Sequence, residues 1–431
     1  MRTSRYFILL FITCNPFFLL AQSLDQFGGY TGKKGETTNR WHIQKIDNRH
    51  WFVTPEGHPM YIIGVNHIDT ETEADRDAAI TNLTDMNFNC SGYGMPDFML
   101  SSHPGFLGLK LHRAAHWLPA NQFHYTDVFS EKYAREIDQK VKAACEVGTK
   151  DKRIIGYSLS DTPHYELDIS RRRRGTDWVS FVRELKGSTA GKQRYVSFLK
   201  QRYDNDFLAF QQAYRLGQLE NWEAAANYDF DYLELTRPKV RADDELFLAV
   251  IVEEMYRLIR KSFDRYDPEA LVVGEKLKSY DHTDDIIRLT GKYFDAVSIQ
   301  AGPTEGPDVG QGTDESVFDA TYWEKLHQLS GKPVLITDHG FSFYTPEHPR
   351  TLWHQFLSEE KAAEFYDGYI KQVIQLPYVI GYIKCQYRDR YDPLRDLLKQ
   401  GFIQENGKPY PTLSKQMKET NGIVFKQLYR K

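Results

Sequence analysis

The chain has 431 residues, of which 41% are hydrophobic and 14% aromatic, and a formal net charge of -4. That supplies a large core, and a barrel with insertions uses this length as one domain. Both signs of charge are spread along the sequence, which argues against a nucleic-acid partner, since such proteins carry a basic face. The one basic run, Arg171-Arg172-Arg173-Arg174, reads as a solvated loop. The aromatic content suits sugar stacking as well as core packing.

Arg2 and Arg5 precede a mostly apolar stretch, residues 6–20, followed by the small Ala21. This is the pattern of a secretion signal over residues 1–21. Cys14 follows Thr13 and is followed by further apolar residues, which argues against lipidation. No later segment is long and apolar enough to span a membrane. A secreted or periplasmic protein without a transmembrane anchor is expected. Cys90, Cys145 and Cys385 then remain, an odd number without a CxxC pair. They read as buried thiols, not as a disulfide framework or a zinc site.

Residues 22–58 predict a small strand extension. Residues 41–46 and 51–54 alternate as two short strands, with Asn48 at the turn. From residue 59 to 431 the pattern changes to short apolar runs separated by long amphipathic stretches, the signature of βα units. Eight runs are visible, at 60–66, 87–91, 108–113, 153–159, 270–275, 294–300, 333–338 and 379–386. Helical stretches, such as 131–147, 243–266 and 359–375, lie between them. Eight such units predict an α/β fold of the (β/α)₈ TIM-barrel type. Residues 162–242 form a long helical insert between the fourth and fifth strands.

Active groups of such a barrel stand at the C-terminal ends of its strands. Those ends supply Asn66 and His67, then Arg113 with His116 and Trp117 just beyond, then Asp161, Glu275 and Lys276. Gln300, Asp338, His339, Lys384, Gln386 and Tyr387 complete the set, with Tyr157 on the fourth strand. Asp161 and Asp338 each follow an apolar strand directly. Glycoside hydrolysis needs two carboxyl groups across the scissile bond, so these two are the catalytic candidates, with Glu275 a reserve acid. A plainer reading makes Asp161 a helix cap. His112 and His116 are spaced as a metal pair only if helical, and here they flank a strand end. No metal or cofactor is expected, and no nucleotide-binding glycine motif is present.

The stretch from Trp51 to Pro59, with Gly64-Val65-Asn66-His67, resembles the entry of the agarase-like glycoside hydrolases, members of a clan of retaining barrel glycosidases. The likeness continues through Ile155-Gly156-Tyr157-Ser158-Leu159, Gly274-Glu275-Lys276, Phe294-Asp295-Ala296-Val297-Ser298 and Gly331-Lys332-Pro333-Val334. It ends with Gly381 through Asp389 and Gly401-Phe402-Ile403, in the family's order. It implies a galactan-cutting barrel whose substrate is a poly- or oligosaccharide from agar, porphyran or carrageenan. The sequence departs from the family at the carboxylates. Asp161-Thr162 stands where the pattern has Asn-Glu, Asp338 stands for the nucleophilic Glu, and Lys384 stands for a Trp platform.

Three readings follow. One is an active glycosidase using Asp338 and Asp161, with Lys384 and neighbouring cations favouring an anionic or sulfated galactan. The shorter carboxylates widen the gap toward an inverting pair. The second is a carbohydrate-binding protein on an inactive barrel. The third is lyase- or transferase-like chemistry with His67, His116 or Tyr387 as base.

Overall fold

The structure, a computed structural model, describes residues 24–68, 70, 72–112, 123–161, 163–230, 235–301, 318–348, 355–392 and 396–429. The expected signal segment, Arg113, His116, Trp117 and Thr162 lie outside the described residues.

A small sheet comes first. β1 (His42–Ile46) and β2 (Arg49–Val53) pair antiparallel, and β3 (Pro59–Met60) pairs with β2. Asp47 and Asn48 turn the hairpin with φ of 50° and 64°. Both central residues of such a tight turn need positive φ, which Asp and Asn tolerate best after glycine.

The barrel follows. β4 (Ile62–Val65), β5 (Cys90–Ser91), β6 (Gly105–Gly108) and β7 (Ile154–Ser158) are its first four strands. β8 (Lys276–Lys278), β9 (Val297–Gln300) and β10 (Val334–Gly340) come next. A short parallel pair, β11 (Ser342–Phe343) and β12 (Gln355–Phe356), precedes the eighth barrel strand, β13 (Val379–Cys385). Neighbours pair in parallel throughout, and β13 returns to β4. Bridges from Tyr157 to Val272 and from Asp161 to Lys276 join β7 to the fifth strand and close the ring. The third strand ends at Gly108, earlier than the apolar run 108–113 suggested. Leu109 makes one further bond to Ser158, and Leu109 and Leu111 then pack into the outer core. A final antiparallel pair, β14 (Arg390–Asp392) and β15 (Asp396–Leu398), lies beyond β13.

Helices cover the outside. α1 (Glu73–Asp85) and α2 (Glu131–Gly148) flank the early strands. Ser130 caps α2 by accepting from the Tyr133 N–H, and Tyr133, Ile137, Val141 and Cys145 form its buried stripe at four-residue spacing. The insert holds α3 (Leu167–Arg174), α4 (Trp178–Glu184), α5 (Ala190–Arg202), α6 (Phe207–Tyr214) and α7 (Trp222–Asn227). The long α8 (Pro238–Tyr266) begins with proline, which suits a first helical position. α9 (Asp284–Tyr293), α10 (Ala320–Ser330), α11 (Glu359–Val373) and α12 (Pro411–Tyr429) complete the shell. Among the described residues no helix is long and apolar enough to cross a membrane.

Two cores result. The larger lies between the strands and the helices. The smaller fills the barrel itself, with Ile62, Cys90, Phe106, Ile155, Leu271, Val273, Ala296, Leu335, Ile380 and Ile383. Phe27, Trp41, Phe52 and Met60 from the N-terminal segment join this inner core. The small sheet therefore plugs the barrel at the N-terminal ends of its strands. The opposite mouth is left for chemistry.

Candidate active site

Which side chain enters the barrel depends on the period-two alternation of each strand. β9 keeps it: Ala296 lies in the inner core, Val297 and Ile299 face the outer core, and Gln300 faces inward at the mouth. Two other strands break it. In the fifth, Val273 faces inward, and Gly274 with φ of 78° inserts a left-handed step. Glu275 is thereby turned outward and Lys276 inward. In β10, Leu335 is inward and Ile336 outward, and the register with β13 shifts between Ile336 and His339. Asp338 takes φ of 56° there and points inward, while His339 points out.

Asp338 is the centre of the mouth and only 4% exposed. Its carboxylate accepts from Asn66 Nδ2 at 3.1 Å, Tyr93 Oη at 2.5 Å and Gln300 Nε2 at 3.3 Å. Lys276 Nζ and His67 Nε2 each stand 3.8 Å from it, and the Cys385 thiol bonds it too. Burial alone would raise this carboxyl. The Lys276 charge, then His67 and the bonds from Cys385 and Tyr93, outweigh burial and hold it well below the usual carboxylate range. Asp338 is therefore an anion at any ordinary pH.

Lys276 links the second carboxylate. Its ammonium lies 3.1 Å from Asp161 Oδ1 and against the face of the Tyr93 ring. Asp161 is at the rim, with its side chain 20% exposed, against 5% for Asp338. One ammonium within 3.1 and 3.8 Å of the two oxygens keeps them at most about 7 Å apart. Burial, with Lys276 and Arg390 nearby, lowers the His67 imidazole despite Asp338, so it is neutral near pH 7. Tyr93 is pushed upward by burial and by Asp338, and stays a proton donor.

No protein-family model matches the chain, and no curated protein matches it in sequence. Solved structures do share its fold. An exo-beta-agarase aligns with a TM-score of 0.77 at 16% identity, over 96% of this chain and 69% of the other. A protein named PfGH50B aligns at 0.78 and 15%, over 95% and 69%. An agarase, AgWH50C, aligns at 0.77 and 15%, over 96% and 70%. At these identities the likeness establishes the (β/α)₈ fold.

The structure brings Asn66, His67, Asp161, Lys276, Gln300 and Asp338 together, as the strand ends suggested. It places five other expected residues elsewhere. Glu275 is fully buried outside the ring, accepting from Tyr165 at 2.6 Å and Tyr256 at 2.9 Å, with His112 Nε2 at 3.3 Å. It ties the insert and α8 to the strand and does not share the mouth. Tyr157 donates outward to Asp267 at 3.0 Å. His339 stacks on Tyr369 and bonds Tyr382 at 2.7 Å, against the outer helix. Tyr387 accepts from Asn82 of α1 at 2.9 Å. Lys384 is fully buried with its ammonium on the carbonyls of Cys385 and Gln400 and over the Phe341 ring. The expectation that Glu275 and Lys384 face the mouth therefore fails. Gln386 is buried just past β13, and its amide donates to the Arg388 carbonyl at 2.7 Å.

Tyr93 and Cys385 were not anticipated. Tyr93 follows the two-residue strand β5 between Gly92 and Gly94, a setting that reads as loop. Cys385 is the residue after Lys384 and takes the inward phase. His67, Asp338 and Cys385 also present ligand-type atoms within 4.8 Å of one another, as do Asp25, Glu56 and His58. In the first set Lys276 already supplies positive charge to Asp338. In the second, Asp25 is engaged by Thr54, His58 and two backbone N–H groups.

Proposed function

We propose that the protein is a glycoside hydrolase that cuts an agar-type galactan, with Asp338 as the nucleophile or base and Asp161 as its acid partner. The observation that carries this reading is the pair of aspartates at one barrel mouth, set apart by environment. Asp338 is buried and held ionised by several donors, whereas Asp161 stands at the solvent-facing rim. Two carboxyl groups with unequal surroundings are what acid–base division of labour requires. Asn66, His67, Tyr93 and Gln300 hold the Asp338 carboxylate in place. The agarases among the fold's neighbours support the choice of galactan.

The reading extends to stereochemistry. Both acids are the short aspartate, and an inverting course, with Asp338 assisting water attack, takes the upper end of the separation that the shared ammonium allows, about 6.5–7 Å. A secreted site of action fits a polymeric substrate. The cation first assigned to an anionic substrate, Lys384, is occupied by two carbonyls, so an anionic preference needs other residues.

A second reading, binding without turnover, has one observation in its favour: Lys276 Nζ lies 3.1 Å from Asp161 and already engages the group that would have to meet the leaving oxygen. Incubation with agar, porphyran and carrageenan oligosaccharides, read by mass spectrometry, separates the two. Shortened products are expected, and Asp338→Asn should slow their release by about 10²–10⁴-fold. Proton NMR of the first-formed anomer should show inversion. Retained configuration removes the inverting course, and intact oligosaccharides bound by the protein establish the second reading.

A further inference from the structure

The fifth strand carries a second lysine that the site chemistry leaves unused. Lys276 faces the mouth, Leu277 faces the outer core, and alternation returns Lys278 to the mouth side. Lys278 is in register with Gln300, the residue that bonds Asp338 from β9. It thus stands two residues further out than Lys276, about 6–7 Å along the strand.

Its ammonium is in an unusual position. Lys278 is half-buried, and among the described residues no carboxylate lies within ion-pair distance of it. The acid whose charge acts on it, Asp281, is engaged by His164 at 2.7 Å and by the Glu166 N–H. The neighbouring charge is another cation, Arg173 of α3, exposed at the end of the insert's first helix. Its companion Arg171 is consumed by Asp177 and Asp244, and Arg174 lies over Phe123. Burial and Arg173 both press the Lys278 ammonium toward its neutral form. A half-buried ammonium on the mouth side of the strand, without a carboxylate partner among the described residues and with a second cation acting on it, gains from an incoming anion.

We propose that Lys278 and Arg173 form a subsite for an anionic substituent on the sugar next to the cleavage point, a sulfate ester or a carboxylate. The inference rests on the galactan reading and gives it a substrate class. The arginine run ends a helix of the insert, and Arg173 is the member of it whose charge acts on Lys278.

The test uses the full chain and two kinds of probe. The first is turnover of a sulfated galactan oligosaccharide relative to its desulfated counterpart. Lys278→Met should reduce the wild type's preference for the sulfated chain by at least about 10-fold in kcat/KM. Arg173→Gln, exposed on its helix, should reduce it severalfold and keeps the test open if Lys278→Met does not fold. The second is calorimetric binding of galactose 6-sulfate and of galacturonate, which needs no turnover. Weakening by either variant supports the subsite, and the tighter ligand identifies the anion. Galactan cleavage with equal preference in wild type and variants overturns the subsite and leaves the hydrolase reading standing. Sulfate-sugar binding that depends on Lys278 without any galactan cleavage overturns the hydrolase reading and leaves the subsite standing.

Discussion

Lys276 decides how the two aspartates share charge. Its ammonium is 1% exposed and is the largest attraction acting on the buried Asp338. Replacing it with methionine leaves two carboxylates near each other with no cation between them. Breaking such a buried pair costs about 3–5 kcal/mol. The pH dependence has a definite sign. A carboxyl held below its unfolded value contributes stability above that value, near pH 4, and loses it as pH falls through the lower folded value. The stability gap between wild type and Lys276→Met should therefore be widest above about pH 5 and narrow below about pH 4. Urea titrations at pH 7 and pH 3 measure it. A gap of equal size at both would mean that Lys276 does not hold the charge of Asp338.

At the level of strands, the departure from alternation is what builds the mouth. Strict alternation from Val273 would have pointed Glu275 inward, and from Leu335 would have pointed His339 inward. The left-handed steps at Gly274 and Asp338 exchange them for Lys276 and Asp338. Gly274→Ala tests this directly. The added Cβ would meet Phe294 Cδ2 at 3.3 Å in a conformation side chains rarely adopt. The strain costs about 1–2 kcal/mol, and relief by straightening the strand would withdraw Lys276 from both aspartates. Lower stability together with a loss of galactan turnover is expected from denaturation and rate measurements. Normal values of both would show that the step is not needed. The same steps explain what could be read from sequence. The eight apolar runs were visible because parallel barrel strands are buried on both faces. Asn66, Asp161, Gln300 and Asp338 were visible as polar residues ending such runs. The misassigned Glu275 and His339 lie beside the two residues that shift phase. Gly274 was a signal for the first, since a glycine inside a strand marks a bulge or a close approach. Asp338 gave no such signal, because aspartate is ordinary at a strand end.

Across the whole molecule, the N-terminal sheet and the barrel behave as one body. Phe52 is fully buried, stands in the inner core and meets Phe106 edge-on at 5.8 Å. Trp41 donates its indole N–H to the Lys152 carbonyl at 2.7 Å, just before β7. The C-terminal helix joins in: Tyr429 stacks on Tyr30 at 4.9 Å and accepts from the Tyr61 N–H. The first and last described segments thus meet at the barrel floor, at the end opposite the mouth. The described residues of the expected strand extension, 24–58, contribute Phe27, Trp41 and Phe52 to the barrel's inner core. Phe52→Ala should cost about 3–5 kcal/mol through the cavity it leaves, and the cost should fall on the barrel. Far-ultraviolet circular dichroism, dominated by the outer helices, and tryptophan fluorescence, which includes Trp41 and Trp51 of the small sheet, should shift to lower urea together. A fluorescence transition that moves while the helical transition stays would show the sheet unfolding alone, and the inner core would then not depend on its plug.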